Sequence, residues 1–122
     1  MFILSKRFKF EASHQLMHHD GKCANLHGHS WVMTVKVKGF HLHKLGPKQG
    51  MLIDYGTISE IVKPVIAEYL DHHHLNETIN PEAPTSENLA FWCFNLLKPK
   101  IPGLLSVGIQ ETDTSEVEYG DE

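Results

Sequence analysis

What most limits the folds open to this chain is strict alternation of apolar and polar residues at two places in its first third. Residues 2–13 set Phe8, Phe10 and Ala12 against Lys9 and Glu11, and residues 30–39 set Trp31, Met33, Val35 and Val37 against Thr34, Lys36 and Lys38. A period of two marks a pleated strand with one buried face and one wet face. LLSVGIQET (104–112) reads as a third strand and SEVEY (115–119) as a short fourth. Between the pairs the period changes. Asp54 can cap a helix whose Ile58, Ile61, Val62, Val65, Ile66, Tyr69 and Leu70 form one apolar stripe, with Pro64 inside it to bend it and leave a carbonyl unpaired. A second helix starts at Thr85 or Ser86, runs to about Leu97 and is ended by Lys98-Pro99. Residues 40–50 carry Gly46-Pro47 and Gly50 and read as a loop or hairpin connection. The expected order is β-β-α-α-β-β, an α+β chain with strands paired in hairpins and two helices over one face. At 122 residues it is expected to be one domain over 1–122, because a second core would be too small to hold together.

Composition narrows the function. A formal charge of −4 gives no general attraction to nucleic acid or to anionic membranes, and no basic stripe interleaved with aromatics appears. No apolar run approaches the roughly 18–20 residues of a membrane span, and MFILSKRFKF lacks the apolar stretch of a signal peptide. The two cysteines, Cys23 and Cys93, lie far apart in unlike contexts, which fits a reduced setting better than a disulfide framework. A cytoplasmic protein is expected. Ten histidines remain to be explained, and histidine is the commonest metal ligand.

His27 and His29 stand two apart just before the second alternating strand, so both imidazoles can point to one face. Gly28 between them permits a bend. His14 closes the first strand, which a hairpin brings alongside. Three imidazoles without a fourth protein ligand form the pattern of a catalytic zinc, with one position open to water or substrate; taken singly, each could equally be a solvated or hydrogen-bonded side chain. Cys23 follows Lys22 and lies four residues before His27. A thiol near a cation has a lowered pKa and can serve as a base or nucleophile. The alternatives are an inert cysteine or a fourth ligand that closes a structural site. Asp71 precedes His72, His73 and His74, and a carboxylate beside an imidazole can hold it ready for proton transfer, although a histidine-rich helix end also suits the helix dipole. Glu111 is a candidate buried carboxylate, able to accept two parallel donors from a planar heterocycle or to cap a turn. Thr85 and Ser86 open a helix whose free amides could hold an anion or a ring edge, or they simply cap it.

Together FEASHQL, KCANLHGHSW, GMLIDYGTI, YLDHHHLN, PTSENLA and VGIQET resemble, in content and order, the 6-pyruvoyl-tetrahydropterin synthase and 6-carboxytetrahydropterin synthase family. The resemblance implies the tunnelling fold (T-fold), a four-stranded antiparallel sheet with two helices on one face. It implies zinc on His14, His27 and His29, a catalytic thiol at Cys23, a proton relay at Asp71 and His72, a pterin anchor at Glu111, and a pocket lined by Thr85 and Ser86. It implies a homo-hexamer, a dimer of trimers with sites between subunits, in which the relay pair can act on a neighbour's zinc. The spacing CxxxHGH is similar to that of the bacterial-type 6-carboxytetrahydropterin synthases of the 7-deazaguanine (queuosine) route. These turn 7,8-dihydroneopterin triphosphate into 6-carboxy-5,6,7,8-tetrahydropterin, acetaldehyde and triphosphate. A 6-pyruvoyl-forming activity and a non-catalytic, zinc-stabilised pterin-binding module are the competing readings. Lys22, Lys36 and Lys38 are candidate phosphate partners or plain solubilising residues.

Overall fold

The computed structural model describes residues 1–121. Strand β1 (Phe2–His14) pairs antiparallel with β2 (His27–Gly39) without a break, from Phe2 opposite Gly39 to His14 opposite His27. Helix α1 (Tyr55–Val65) continues into a π turn (Ile66–Leu70). A two-residue strand β3 (His73–His74) and a one-turn helix α2 (Leu75–Thr78) precede helix α3 (Ser86–Leu97). Strands β4 (Leu104–Thr112) and β5 (Ser115–Gly120) complete a sheet of order β3-β1-β2-β4-β5.

Besides the π turn that replaces the last turn of α1 and the added one-turn α2, two features of the sheet differ from the sequence expectation. The sheet has five strands rather than four, because His73 and His74 run parallel to Ala12 and Ser13 at the β1 edge. Strand β2 starts at His27 instead of Ser30, which puts the HGH triplet inside the ladder. The rest follows the pattern: the expected α1 and α3 form, and both caps are made by side chains. Asp54 accepts from the Gly56 amide at 2.8 Å, and Thr85 accepts from the Asn88 amide at 3.1 Å. Each such cap contributes about 1 kcal/mol.

Alternation sorts the sheet into two faces. Phe8, Phe10, Trp31, Met33, Val35, Val107 and Ile109 are buried in one core with Ile58, Val62, Leu70, Leu89, Cys93 and Leu97 of the helices. Helix α3 lies on β4 and β5, and α1 on β1. The opposite face carries Arg7, Lys9, Glu11, Lys36 and Glu118. His14, His27 and His29 have the parity of Phe10 and Trp31, so they continue the core face at its end.

Candidate metal centre

The site begins where the apolar filling of the sheet–helix layer stops. Trp31 is fully buried, with its indole N–H donated to the Ala12 carbonyl at 3.1 Å, and it forms the floor. The rings of His14 and His29 stand edge-on to it at 5.1 and 5.4 Å. The three imidazoles are also edge-on to one another, with centroids 4.5 to 5.2 Å apart. His14 is completely enclosed.

Backbone carbonyls fix the tautomers. His14 Nδ1 lies 2.8 Å from the Pro84 carbonyl, and His27 Nδ1 lies 2.6 Å from the Asn25 carbonyl. A carbonyl only accepts, so each Nδ1 carries the proton and each Nε2 presents a lone pair. This is the outer support that metal-binding histidines usually have. Glu111 enters from β4, its Oε1 3.1 Å from His14 Nε2 and 3.3 Å from His29 Nε2. Neither nitrogen makes a hydrogen bond despite being buried. Burial pushes the His14 pKa below its usual 6.5, outweighing the Pro84 bond and the Glu111 charge, which act the other way. A neutral imidazole lone pair facing a carboxylate oxygen in a buried place is repulsive unless a cation lies between them. His14, His27, His29 and Glu111 offer ligand atoms all within 4.8 Å of one another. The residues fit a divalent ion, and the nitrogen-rich donor set suits zinc.

Glu111 is the addition to the three-imidazole arrangement read from the sequence. Cys23 is not in the group; it sits half-buried in a 3-10 turn (Lys22–Ala24), so the closed site with sulfur as fourth ligand is not what forms. Asp71 and His72 are elsewhere too. One Asp71 oxygen accepts from the Glu11 amide at 2.9 Å, the other lies 3.7 Å from His72 Nε2, and the His72 side chain is 81% exposed. His72 has a left-handed backbone, φ 59°. It borders an open groove of about 610 Å³ with Glu11, Ser13, Gly28, Ser30 and His74. Glu11, Ser13 and Ser30 have the parity opposite to His14, so the groove lies mainly on the other face of the sheet, with Ala12 and His29 of the core-face parity also bordering it. His73 and His74 serve as anchors: His73 Nδ1 donates to the Asp71 carbonyl at 2.8 Å, and His74 Nδ1 lies 3.0 Å from the Ser13 hydroxyl. Thr85 spends its hydroxyl on the α3 cap. The Pro84 and Asn25 carbonyls had no signature in the sequence, since any residue supplies a carbonyl.

Fold and site define a small α+β protein with three histidines and one carboxylate, a group that could hold a metal ion, gathered at the end of an antiparallel sheet. The chain belongs to the family described as 6-pyruvoyl tetrahydropterin synthase, whose model matches residues 3–122. A 6-carboxy-5,6,7,8-tetrahydropterin synthase of Synechocystis sp. is 43% identical over 120 residues, covering 98% of this chain and 93% of that protein. One of the same name from Haemophilus influenzae is 36% identical over 98% of this chain and 99% of its own length. Among solved structures, 6-pyruvoyl tetrahydropterin synthase of Caenorhabditis elegans superposes with a TM-score of 0.81 at 27% identity, covering 99% of this chain and 96% of that one. The fold is therefore the T-fold of these proteins. No helix among the described residues is long and apolar enough to cross a membrane.

Proposed function

We propose that this protein is a zinc-dependent enzyme converting 7,8-dihydroneopterin triphosphate and one water to 6-carboxy-5,6,7,8-tetrahydropterin, acetaldehyde and triphosphate. Its place is the 7-deazaguanine (queuosine) route in the cytoplasm, and residues 1–122 act as one domain. The observation that carries the reading is the half-buried cluster of acceptors, with the buried Nε2 atoms of His14 and His29 unsatisfied beside Glu111. The identities of 43% and 36% to relatives bearing the 6-carboxy name support this product over the 6-pyruvoyl one.

His14, His27 and His29 hold the ion through Nε2, and what zinc supplies when bound is Lewis acidity toward the hydroxyls of the substrate side chain. Glu111 accepts two N–H groups from the pterin edge and so fixes the ring beside the metal centre. Thr85 and Ser86 line the ring's pocket. The Cys23 thiolate removes a proton from the side chain, and His72, oriented by Asp71, delivers or takes the second proton. Since the His72 groove opens on the other face of the sheet from His14, a relay pair serves the centre of another copy. Two edges are free to join copies: the outer side of β5, and β1 before Ala12. Arg7 and Lys9 on one and Glu116 on the other are opposite in charge, whereas Glu118 is already paired with Lys36 at 2.7 Å. The assembly proposed is a homo-hexamer built as a dimer of trimers.

Mass analysis of the products of zinc-loaded protein and 7,8-dihydroneopterin triphosphate tests the reading. Acetaldehyde with 6-carboxy-5,6,7,8-tetrahydropterin is expected. A product that keeps all side-chain carbons would assign the 6-pyruvoyl activity instead, and pterin binding without turnover would leave a binding module.

A further inference from the structure

Strand β1 stops pairing with β3 at Ser13 and His74, yet the next residue is still gripped. The Gln15 amide donates to Asn76 Oδ1 at 2.9 Å, and the Gln15 carbonyl accepts from Asn76 Nδ2 at 2.7 Å. The side-chain amide of Asn76 thus takes both backbone groups of Gln15, as one more strand residue would. Its remaining N–H is given to the Pro81 carbonyl at 2.9 Å. All three polar functions used by this side chain require a carboxamide: Asp cannot donate and Leu can do neither. Gln15 then reaches the other way, its Nε2 donating to the Ala24 carbonyl at 2.6 Å. The Leu16 amide donates to the Cys23 carbonyl at 2.9 Å. The consecutive carbonyls of Cys23 and Ala24 are therefore tied to Leu16 and Gln15, the two residues that follow His14.

We propose that Gln15 and Asn76 are positioning residues that lock the Cys23 turn to the end of the metal-ligand strand. Asn76 extends the β1–β3 pairing onto Gln15, and Gln15 carries the turn. The segment 71–76 that bears Asp71 and His72 is thereby joined to the turn that bears the thiol, with His14 next to the joint. Neither side chain touches substrate in this scheme. The part of the proposal that concerns turnover rests on the enzymatic reading of Cys23 given above; the part that concerns the turn does not.

The test uses the full-length zinc-loaded protein with Gln15→Met, which keeps length and removes the donor, and Asn76→Asp, which keeps the acceptor and removes both donors. Iodoacetamide labelling of Cys23, followed by peptide mass analysis, should accelerate roughly three- to tenfold in each, as expected when one or two hydrogen bonds holding the turn are lost. Zinc content and Tm should stay near the parent values, and kcat should fall on the order of ten- to a hundredfold with KM almost unchanged, since a small misplacement of a reacting group is costly. Labelling rates equal to the parent in both variants would overturn the proposal. Should Asn76→Asp fail to fold, Gln15→Met decides alone, because it removes only the bond to Ala24. Full turnover by Cys23→Ala would remove the base role proposed for that thiol, while the labelling result still judged the clamp.

Discussion

Two of the molecule's meetings of carboxylate and imidazole are built for different conditions. Glu111 with His14 and His29 is sheltered in the end of the core: His14 is wholly enclosed, and the His14 and His27 rings are tied through Nδ1 to backbone carbonyls. Asp71 with His72 is exposed, 3.7 Å apart, beyond a normal hydrogen bond, with one Asp71 oxygen already committed to the Glu11 amide. The first group gathers its acceptors within one chain, where they could hold a metal ion. The second presents an unshielded imidazole on the far face of the sheet. Burial and support decide the difference, not residue type: one group fits the metal centre proposed above, and the other fits the proposed relay only if a second copy covers it.

The sharpest way to break this contrast is to damage each side separately. His27→Ala should lose zinc and essentially all turnover, measured by metal analysis and product formation. His72→Ala should keep one zinc per chain while kcat falls by about 10²–10⁴, the range of a lost general acid–base. Unfolding and refolding the two variants together should then recover part of the activity, because mixed assemblies can set an intact metal centre beside an intact relay pair. No recovery in verified mixed oligomers would mean that both groups act within one chain.

Glu111 can be tested on the buried side alone. If it anchors the substrate ring, Glu111→Gln raises KM on the order of ten- to a hundredfold, as for loss of charge-assisted hydrogen bonds, with zinc retained. If it is instead a permanent fourth ligand, zinc affinity drops and the centre is a closed one.

A smaller effect separates the groups by pH. Burial is the main cause holding the folded His14 pKa below 6.5. In the unfolded chain the ring takes a proton near pH 6.5, in the folded chain only at lower pH, so between those values the unfolded state binds more protons. Metal-free protein should therefore lose stability as pH falls from about 6.5 through the folded value, by at most about 1.4 kcal/mol per unit, and the loss should level off below it. Urea midpoints across this range, with His14→Leu as the control that removes this contribution, measure it.

Part of this contrast is legible in the sequence. Alternation marks β1, β2 and β4, and the two-residue spacing of His27 and His29 puts both rings on one face, while their place on the core face follows from β2 starting at His27. Thr85 and Asp54 announced their caps. The segment 71–78 was not legible, because a two-residue strand and a single helical turn are too short to show a period. Its place is set by contacts distant in sequence, such as His74 to Ser13 and Asn76 to Gln15. The same holds for the Pro84 carbonyl on His14. Pro64 predicted trouble in α1, since it cannot donate to the carbonyl of Glu60. The sequence did not say that a π turn would follow two residues later, with the Asp71 amide on the Ile66 carbonyl. Glu111 was read as a buried carboxylate, but its approach to two imidazoles depends on the pairing of β2 with β4, which spans most of the chain.

The smallest expected effect bears on why the exposed imidazole is where it is. His72 holds φ 59°, a region in which a side chain with Cβ is strained by about 1–2 kcal/mol. Its imidazole is largely in solvent and returns little by packing, while its backbone amide, present in any variant except proline, donates to the Glu11 carbonyl at 2.6 Å. Glycine would relieve the strain, partly offset by the greater freedom it gives the unfolded chain. His72→Gly should thus raise stability by roughly 0.5–1 kcal/mol in urea titrations while removing turnover. That combination is expected of a residue kept for chemistry at a cost in backbone energy. A loss of stability instead would mean that the imidazole supports the fold, and the two carboxylate–imidazole groups would then differ less in purpose than in exposure.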